Sequence, residues 1–139
     1  MATYLLDTSI TSLLQRKHVI SCSNLAIHKN DDVLISTITV EESIGGSLAL
    51  LRKGKSKQQQ VIDAKLVAEV VMNLGTFFVI SPTVAALDRF DQLVSLKLNV
   101  GKNDLRIAAM ALEIHATVVT ANIRDFGRVP GLKWEDWSQ

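Results

Sequence analysis

Asn103-Asp104-Leu105-Arg106-Ile107-Ala108-Ala109-Met110-Ala111-Leu112, followed after a short gap by Thr117-Val118-Val119-Thr120, decides the fold class. The first part is rich in strong helix formers, and Ile107, Ala108, Ala111, Leu112 and His115 share a face whose alanines allow close approach to a sheet. The second part is a continuous β-branched run, the pattern of a strand buried on both faces. A helix of small residues feeding a buried strand is half of a parallel α/β unit.

The same alternation extends in both directions. Thr3 to Leu6 is a short apolar run ending at Asp7-Thr8-Ser9, which predicts a buried strand and then the cap of a helix through Leu13-Leu14. A second helical stretch, about Val19 to His28, stops at Asn30-Asp31-Asp32, whose acids read as turn residues. Val33-Leu34-Ile35-Ser36 is the second strand, after which Thr39 is expected to cap a helix beginning Val40-Glu41-Glu42, with Glu42 in its first turn. Gly45-Gly46 inside that helix cost roughly 1 kcal/mol each relative to Ala, which predicts close packing or a bend there. Beyond the basic connection Arg52 to Lys57, the apolar positions Val61, Leu66, Val67, Val70, Val71 and Leu74 describe a helix closed by Gly75. Phe77 to Ile80 is the third strand, Ser81-Pro82 turns the chain into a helix through Leu93 and Leu96, and a short last strand lies around Leu132-Lys133-Trp134. The expectation is one α/β domain over residues 1–139: three α/β/α layers around a central, mainly parallel sheet of four to five strands.

Length and composition agree with that. A chain of 139 residues with 47% hydrophobic content and a mean hydropathy of +0.22 supports one well-filled core and not two. Fifteen Lys and Arg against fourteen Asp and Glu leave a net charge of +1, so any polyanion site must be local. Cys22 stands alone and cannot form an internal disulfide, and the first residues have neither a basic region nor a long apolar core, which predicts a cytoplasmic protein. The uncharged run Val70 to Leu87 is long enough to raise a membrane span, but Asn73, Gly75, Thr76, Ser81, Pro82 and Thr83 interrupt it, so a helix end, a strand and a turn fit better.

The chemistry is carried by acids. Alone, Asn103 or Asp104 reads as a helix cap. In an open parallel sheet, however, ligands bind beyond the carboxyl ends of the strands, where strand order reverses. Asp7 follows strand one, Glu42 follows strand two, Asp104 opens the helix before strand four and Asp125 follows strand four, so four elements supply one candidate cluster. Two carboxylates at about 4 Å repel by roughly 4 kcal/mol at an effective dielectric near 20, and a helix N-terminus returns only about 0.3–1 kcal/mol. A hard divalent cation fits the difference, and oxygen-only ligands favour Mg²⁺ or Mn²⁺ over zinc. Such an ion activates water and braces a phosphate oxygen, the chemistry of phosphodiester hydrolysis.

Leu5-Leu6-Asp7-Thr8-Ser9, Ser36-x-x-Thr39-x-x-Glu42, Asn103-Asp104-Leu105-Arg106-Ile107-Ala108-Ala109, Thr120-x-Asn122-x-x-Asp125-Phe126 and Val129-Pro130-Gly131-Leu132 through Glu135-Asp136-Trp137 together resemble the PIN-domain ribonucleases called VapC toxins, in order and over nearly the whole chain. The resemblance implies a PIN-like α/β/α fold and a Mg²⁺-dependent endoribonuclease that hydrolyses RNA with a metal-activated water. It implies the toxin of a type II toxin–antitoxin system, with a VapB-type antitoxin, a homodimer, no membrane, and structured RNA such as tRNA as target. It places the catalytic and metal-binding quartet at Asp7, Glu42, Asp104 and Asp125, with Asp7 and Asp104 as the leading direct ligands.

Other residues carry weaker readings. Thr8, Thr120 and Asn122 stand where they could hold water or a phosphate, although such groups at strand ends more often satisfy backbone. Arg124 and Arg128 are better placed for phosphate than Arg52, Lys53, Lys55 and Lys57, a run that usually means a solvated connection. His18 and Cys22 are too few for zinc, His115 is expected to end its helix, and Trp134 and Trp137 to anchor the closing segment. Two competing functions remain: an aspartyl-phosphate phosphatase, disfavoured because Ser9 stands where its second Asp is needed, and a catalytically inactive PIN-fold RNA- or protein-binding module.

Overall fold

A computed structural model describes residues 1–139. The strands are β1 (Thr3–Leu6), β2 (Asp32–Ser36), β3 (Phe78–Ile80), β4 (Thr117–Val119) and β5 (Trp134–Glu135). The helices are α1 (Thr8–Gln15), α2 (Val19–Ile27), α3 (Thr37–Lys53), α4 (Lys57–Leu74), α5 (Val84–Ser95), α6 (Lys102–Ile114) and α7 (Ile123–Phe126). All five strands are parallel, in the order β3-β2-β1-β4-β5. Chain order therefore runs outward from β1 to β3 on one side and from β4 to β5 on the other. The reversal falls between β1 and β4, where a crevice opens at their carboxyl ends.

The two-residue side-chain period of β1 divides the core between the sheet faces. Leu5 packs with Val118, Ile107, Ala108, Ala111 and Leu93 beneath α5 and α6. Tyr4 and Leu6 pack with Ile35, Val119, Ile10, Leu14, Val70 and Leu74 beneath α1 and α4. The expected alanine face of α6 is fully buried at Ile107, Ala108 and Ala111, while His115 is exposed and ends the helix in the left-handed region at φ 56. At the other side of the molecule Trp137 is buried against a ring stack, 4.4 Å from His28 and 5.2 Å from Tyr4, and Trp134 is left at the surface.

Several expectations are corrected. The cap of α3 is Ser36, whose hydroxyl accepts from the Thr39 N–H, because Ser36 ends β2 in extended backbone and Thr39 already lies inside the helix. Glu42 consequently sits in the second turn, beyond the reach of the helix dipole. Asp32 begins β2 rather than belonging to a turn, paired with Thr3. Gly45 and Gly46 lie within α3 without close packing, since a Cβ at either would meet nothing within 4 Å. The sheet is not covered throughout: Phe78 and Val79 on the edge strand β3 are exposed, as are Val61 and Val71 on α4. The uncharged stretch near residues 70–87 forms the end of α4, β3 and the start of α5, and no helix is long and apolar enough to cross a membrane.

Candidate functional site

Asp7 leaves β1 at the strand reversal and caps α1, its Oδ1 accepting from the Ile10 N–H at 3.1 Å. Its residue exposure is only 3%, and hydroxyls hold both carboxylate oxygens. Ser9 donates to Oδ1 and Thr120 to Oδ2, each at 2.6 Å. Both hydroxyls also accept a backbone N–H, Ser9 from Ala121 at 3.0 Å and Thr120 from Asn122 at 2.8 Å. The chain after β4 is thereby tied to the carboxylate after β1. Burial pushes the Asp7 carboxyl above its ordinary value, and the donors from Ser9, Thr120 and Ile10 offset only part of that.

Asp104 approaches from α6. It does not cap that helix: Gly101 is the N-cap, makes no side-chain cap bond, and leaves Asp104 within the first turn. The helix starts at Lys102, so Asp104 already has helical backbone and turns its carboxylate to Asn122, whose amide lies 3.4 Å from Asp104 Oδ2 and 3.0 Å from Asp125 Oδ2. One amide thus spans two acids. Burial first, and then the charges of Asp7, Glu42 and Asp125, push the Asp104 carboxyl up to about 6. The other three predicted acids therefore all act on Asp104 across the crevice. They do not close on a common point, as no three His, Cys, Asp or Glu side chains meet in ligating geometry.

The remaining predicted residues are turned towards these acids. Thr8 donates to Glu42 Oε1 at 2.7 Å and lies 3.4 Å from the Thr39 hydroxyl. Thr120 is fully buried behind Asp7. Arg128 donates to the Asn99 carbonyl at 2.9 Å and stands 3.5 Å from Asp125 Oδ1, while Arg124 is 77% exposed and 4.0 Å from the same oxygen. Ser9 was not anticipated as part of the site, although its place two residues after a helix-capping Asp was the available signal. His18 caps α2 by accepting from the Ser21 N–H, a structural role.

The donor set is oxygen only, and it suits a hard cation. Asp7 Oδ1 already accepts from Ser9 and Ile10, whereas Oδ2 accepts only from Thr120 and keeps a lone pair free, and Asp104 has a single long amide contact. Burial and then three acidic neighbours raise the carboxyl of Asp104, and no Lys or Arg pairs with Asp104 itself. A divalent cation would offset these acidic charges and draw the carboxylates inward.

The sequence profile of the PIN domain matches residues 4–132. The ribonuclease VapC2 of Rickettsia felis is 32% identical over 138 residues, covering 98% of both chains. Ribonuclease VapC1 of Haemophilus influenzae strain R2866 is 29% identical over 142 residues, again 98% of both. Among solved structures, VapBC2 of R. felis bound to a promoter DNA fragment superposes with a TM-score of 0.76 at 30% identity, covering 97% of this chain and 98% of the other. A DNA-bound VapBC from Salmonella typhimurium gives a TM-score of 0.80 at 26% identity, covering 99% of both.

Proposed function

Because the chain belongs to the PIN-domain family, and within it to the VapC ribonucleases, we propose that it is a Mg²⁺-dependent endoribonuclease whose site is Asp7, Glu42, Asp104 and Asp125. The observation that carries this is the convergence on Asp104, where burial and then the charges of Asp7, Glu42 and Asp125 raise the carboxyl to about 6 beside an Asp7 held at both oxygens. Asp7 and Asp104 would hold the cation, with Asp125 and Glu42 completing the set; Mn²⁺ would serve in the same place. When bound, the ion supplies neutralising charge at the scissile phosphate and makes water a better nucleophile.

The chain's own residues supply the rest. Ser9, Ile10 and Thr120 stop Asp7 from rotating, so the free lone pair of its Oδ2 keeps one direction. Thr8 fixes Glu42, whose unbonded oxygen is available to take the proton that the attacking water releases. Asn122 keeps Asp104 and Asp125 at a set separation. Arg124, exposed beside Asp125, can swing to a phosphate oxygen.

The related VapBC complexes favour a VapB-type antitoxin as partner, and hence the role of toxin in a type II pair. Structured RNA such as tRNA, cut to leave a 5′-phosphate, and a cytoplasmic setting belong to the same proposal. A homodimer is supported by Phe78, Val84 and Leu87, exposed beside a small apolar pocket that Ile38, Pro82 and Phe90 help to line. The test is RNA cleavage by purified protein with Mg²⁺, with EDTA, and in Asp7→Asn and Asp104→Asn. Cleavage that needs Mg²⁺ and is lost in both variants is expected. Cleavage surviving both substitutions would remove the site, and RNA binding without cleavage would favour the inactive binding module.

A further inference from the structure

Beside the carboxylates an open groove of about 450 Å³ runs between α1, α3 and α4. Thr8 and Glu42 form one end, Ser12, Ser43 and Gly46 line its length, and Arg16 stands on its wall. At Leu50 it meets a second groove of about 420 Å³, lined by Lys53, Gly54, Lys55 and Ser56 at the turn between α3 and α4. The two make one trough from the acidic crevice to a basic tip, roughly 16 Å along α3 at 1.5 Å per residue. Gly46, exposed and with open space where a Cβ would stand, keeps that side of α3 low.

The charge at the tip has no structural compensation. Arg52, Lys53, Lys55 and Lys57 are all exposed, and none is among the ion pairs, which join Arg89 to Glu113 and Arg124 and Arg128 to Asp125. Asp63, the one carboxylate lining this groove, is buried and accepts from the Gln59 amide. Arg52 and Lys53 in the last turn of α3 are favoured by its dipole. Lys55 and Lys57 are not: they flank the Ser56 cap at the positive end of α4, next to two like charges. With a net charge of only +1 for the whole chain, this is a local field.

We infer that this trough seats the sugar–phosphate backbone of a single-stranded stretch of RNA leading away from the carboxylates, with Lys53, Lys55 and Lys57 on its phosphates and Arg16 at mid-course. The inference rests on the ribonuclease reading and adds a place and a polymer form to its substrate. No aromatic side chain lines either groove, so the grip is on the backbone and indifferent to base identity. Leu50, Leu66 and Val70 are the apolar lining of the trough, too few for the broad hydrophobic floor that the apolar face of a partner helix would ask for, and the remaining hydroxyls, glycines, amides and cations suit a polyanion better.

The test is binding of a short labelled oligouridine to the intact protein in EDTA, which silences metal-dependent cleavage, between about 50 and 200 mM salt. Each phosphate contact on a single strand contributes about 0.7 to the slope of log affinity against log salt, so replacing Arg52, Lys53, Lys55 and Lys57 with Gln is expected to lower the slope by about 2 to 3. Gly46→Leu, which adds a helix-favouring residue and fills the trough, is expected to weaken binding at every salt concentration without loss of thermal stability. Lys97→Gln with Lys133→Gln, outside the trough, should leave the slope alone. An unchanged slope in the fourfold variant overturns the inference, as does an equal fall in the control pair. If the fourfold variant instead loses a VapB-type antitoxin while its RNA slope is intact, the trough is a protein groove and the inference falls. Cleavage with Mg²⁺ is scored separately: cleavage with an unchanged slope removes the trough and spares the nuclease, and the reverse pattern removes the nuclease and spares the trough.

Discussion

The two sides of the acidic crevice are built on opposite plans. On the sheet side, Asp7 is buried, caps a helix and has a hydroxyl on each oxygen. On the helix side, Asp104 and Asp125 are partly open, share one amide and face like charge. The sheet side is finished without a ligand, whereas on the helix side Asp125 has Arg124 and Arg128 nearby and Asp104 has no cationic partner. A site made wholly on the first plan would be rigid with little need of metal; one made wholly on the second would fly apart in its absence.

The largest expected break in this contrast is Asp7→Asn. The amide can keep hydrogen bonds to Ser9 and Thr120, so the fold should stand, while cleavage in Mg²⁺ falls by at least about 10²-fold because the fixed negative charge is gone; a steady-state cleavage assay beside a melting curve checks both parts. Next is Thr120→Val, which keeps the shape of the side chain and strips Asp7 Oδ2 of its hydroxyl donor. Leaving that buried oxygen short of a partner costs about 1–3 kcal/mol, or roughly 3–8 °C in Tm. Losing a donor that lowers the Asp7 carboxyl should also move the acid limb of the cleavage profile to higher pH.

Asp104→Asn sharpens the other side. In the folded chain its carboxyl is raised from 3.8 to about 6, so the folded state binds that proton more tightly than the unfolded one. Stability from this group is complete below about pH 4 and is lost as pH rises through about 6. The group is partly exposed, so solvent screening holds the effect near 1 kcal/mol. Metal-free Asp104→Asn should thus melt about 2–4 °C higher than the parent at pH 7.5 and about equally at pH 4.5, while its Mg²⁺ affinity drops. A fall in metal-free stability would break the contrast. Metal binding has the opposite pH sense, since the ion needs the carboxylate: parent Mg²⁺ affinity should weaken as pH falls through about 6, with proton release on titration near that pH. The smallest effect belongs to Arg128→Gln, whose 3.5 Å pairing with Asp125 lies at the open rim and is worth under about 1 kcal/mol.

Elements were legible in the chain where pattern and packing coincide. β1, β4 and α6 carry unbroken apolar or alanine-rich signals, and they are the buried centre of the molecule. Asp7, Asp104 and Asp125 were legible because each lies near an element boundary, whereas Glu42 lies inside α3 and was found by its spacing from Thr39. Their supports were not. Thr8 reaches Glu42 across 34 positions and Thr120 reaches Asp7 across 113, and no local periodicity states which hydroxyl meets which carboxylate. The choice between Ser36 and Thr39 as cap turned on where β2 releases the chain, a tertiary matter. Asp104 looked like a cap because a carboxylate near a helix start usually is one; α6 begins two residues before it, at Lys102, and leaves it free for the crevice. The open faces of Val61, Val71 and Phe78 were hidden for a related reason: an apolar stripe announces that something will cover it, not what.

The link from Asp7 to the chain after β4 also carries a kinetic meaning. The Ser9 bond to Asp7 is local, but Ala121 meets Ser9 across 112 positions and Thr120 meets Asp7 across 113, so both of those bonds need a loop of more than a hundred residues to close. Contacts of such separation form late, because the entropy of closing the loop is lost before the contact stabilises anything. A partly folded chain, even with β1, β2 and their helices in place, has an Asp7 without its second hydroxyl clamp and without Asp104 or Asp125 opposite. The opposed arrangement of the four acids therefore exists only once β4 has docked against β1.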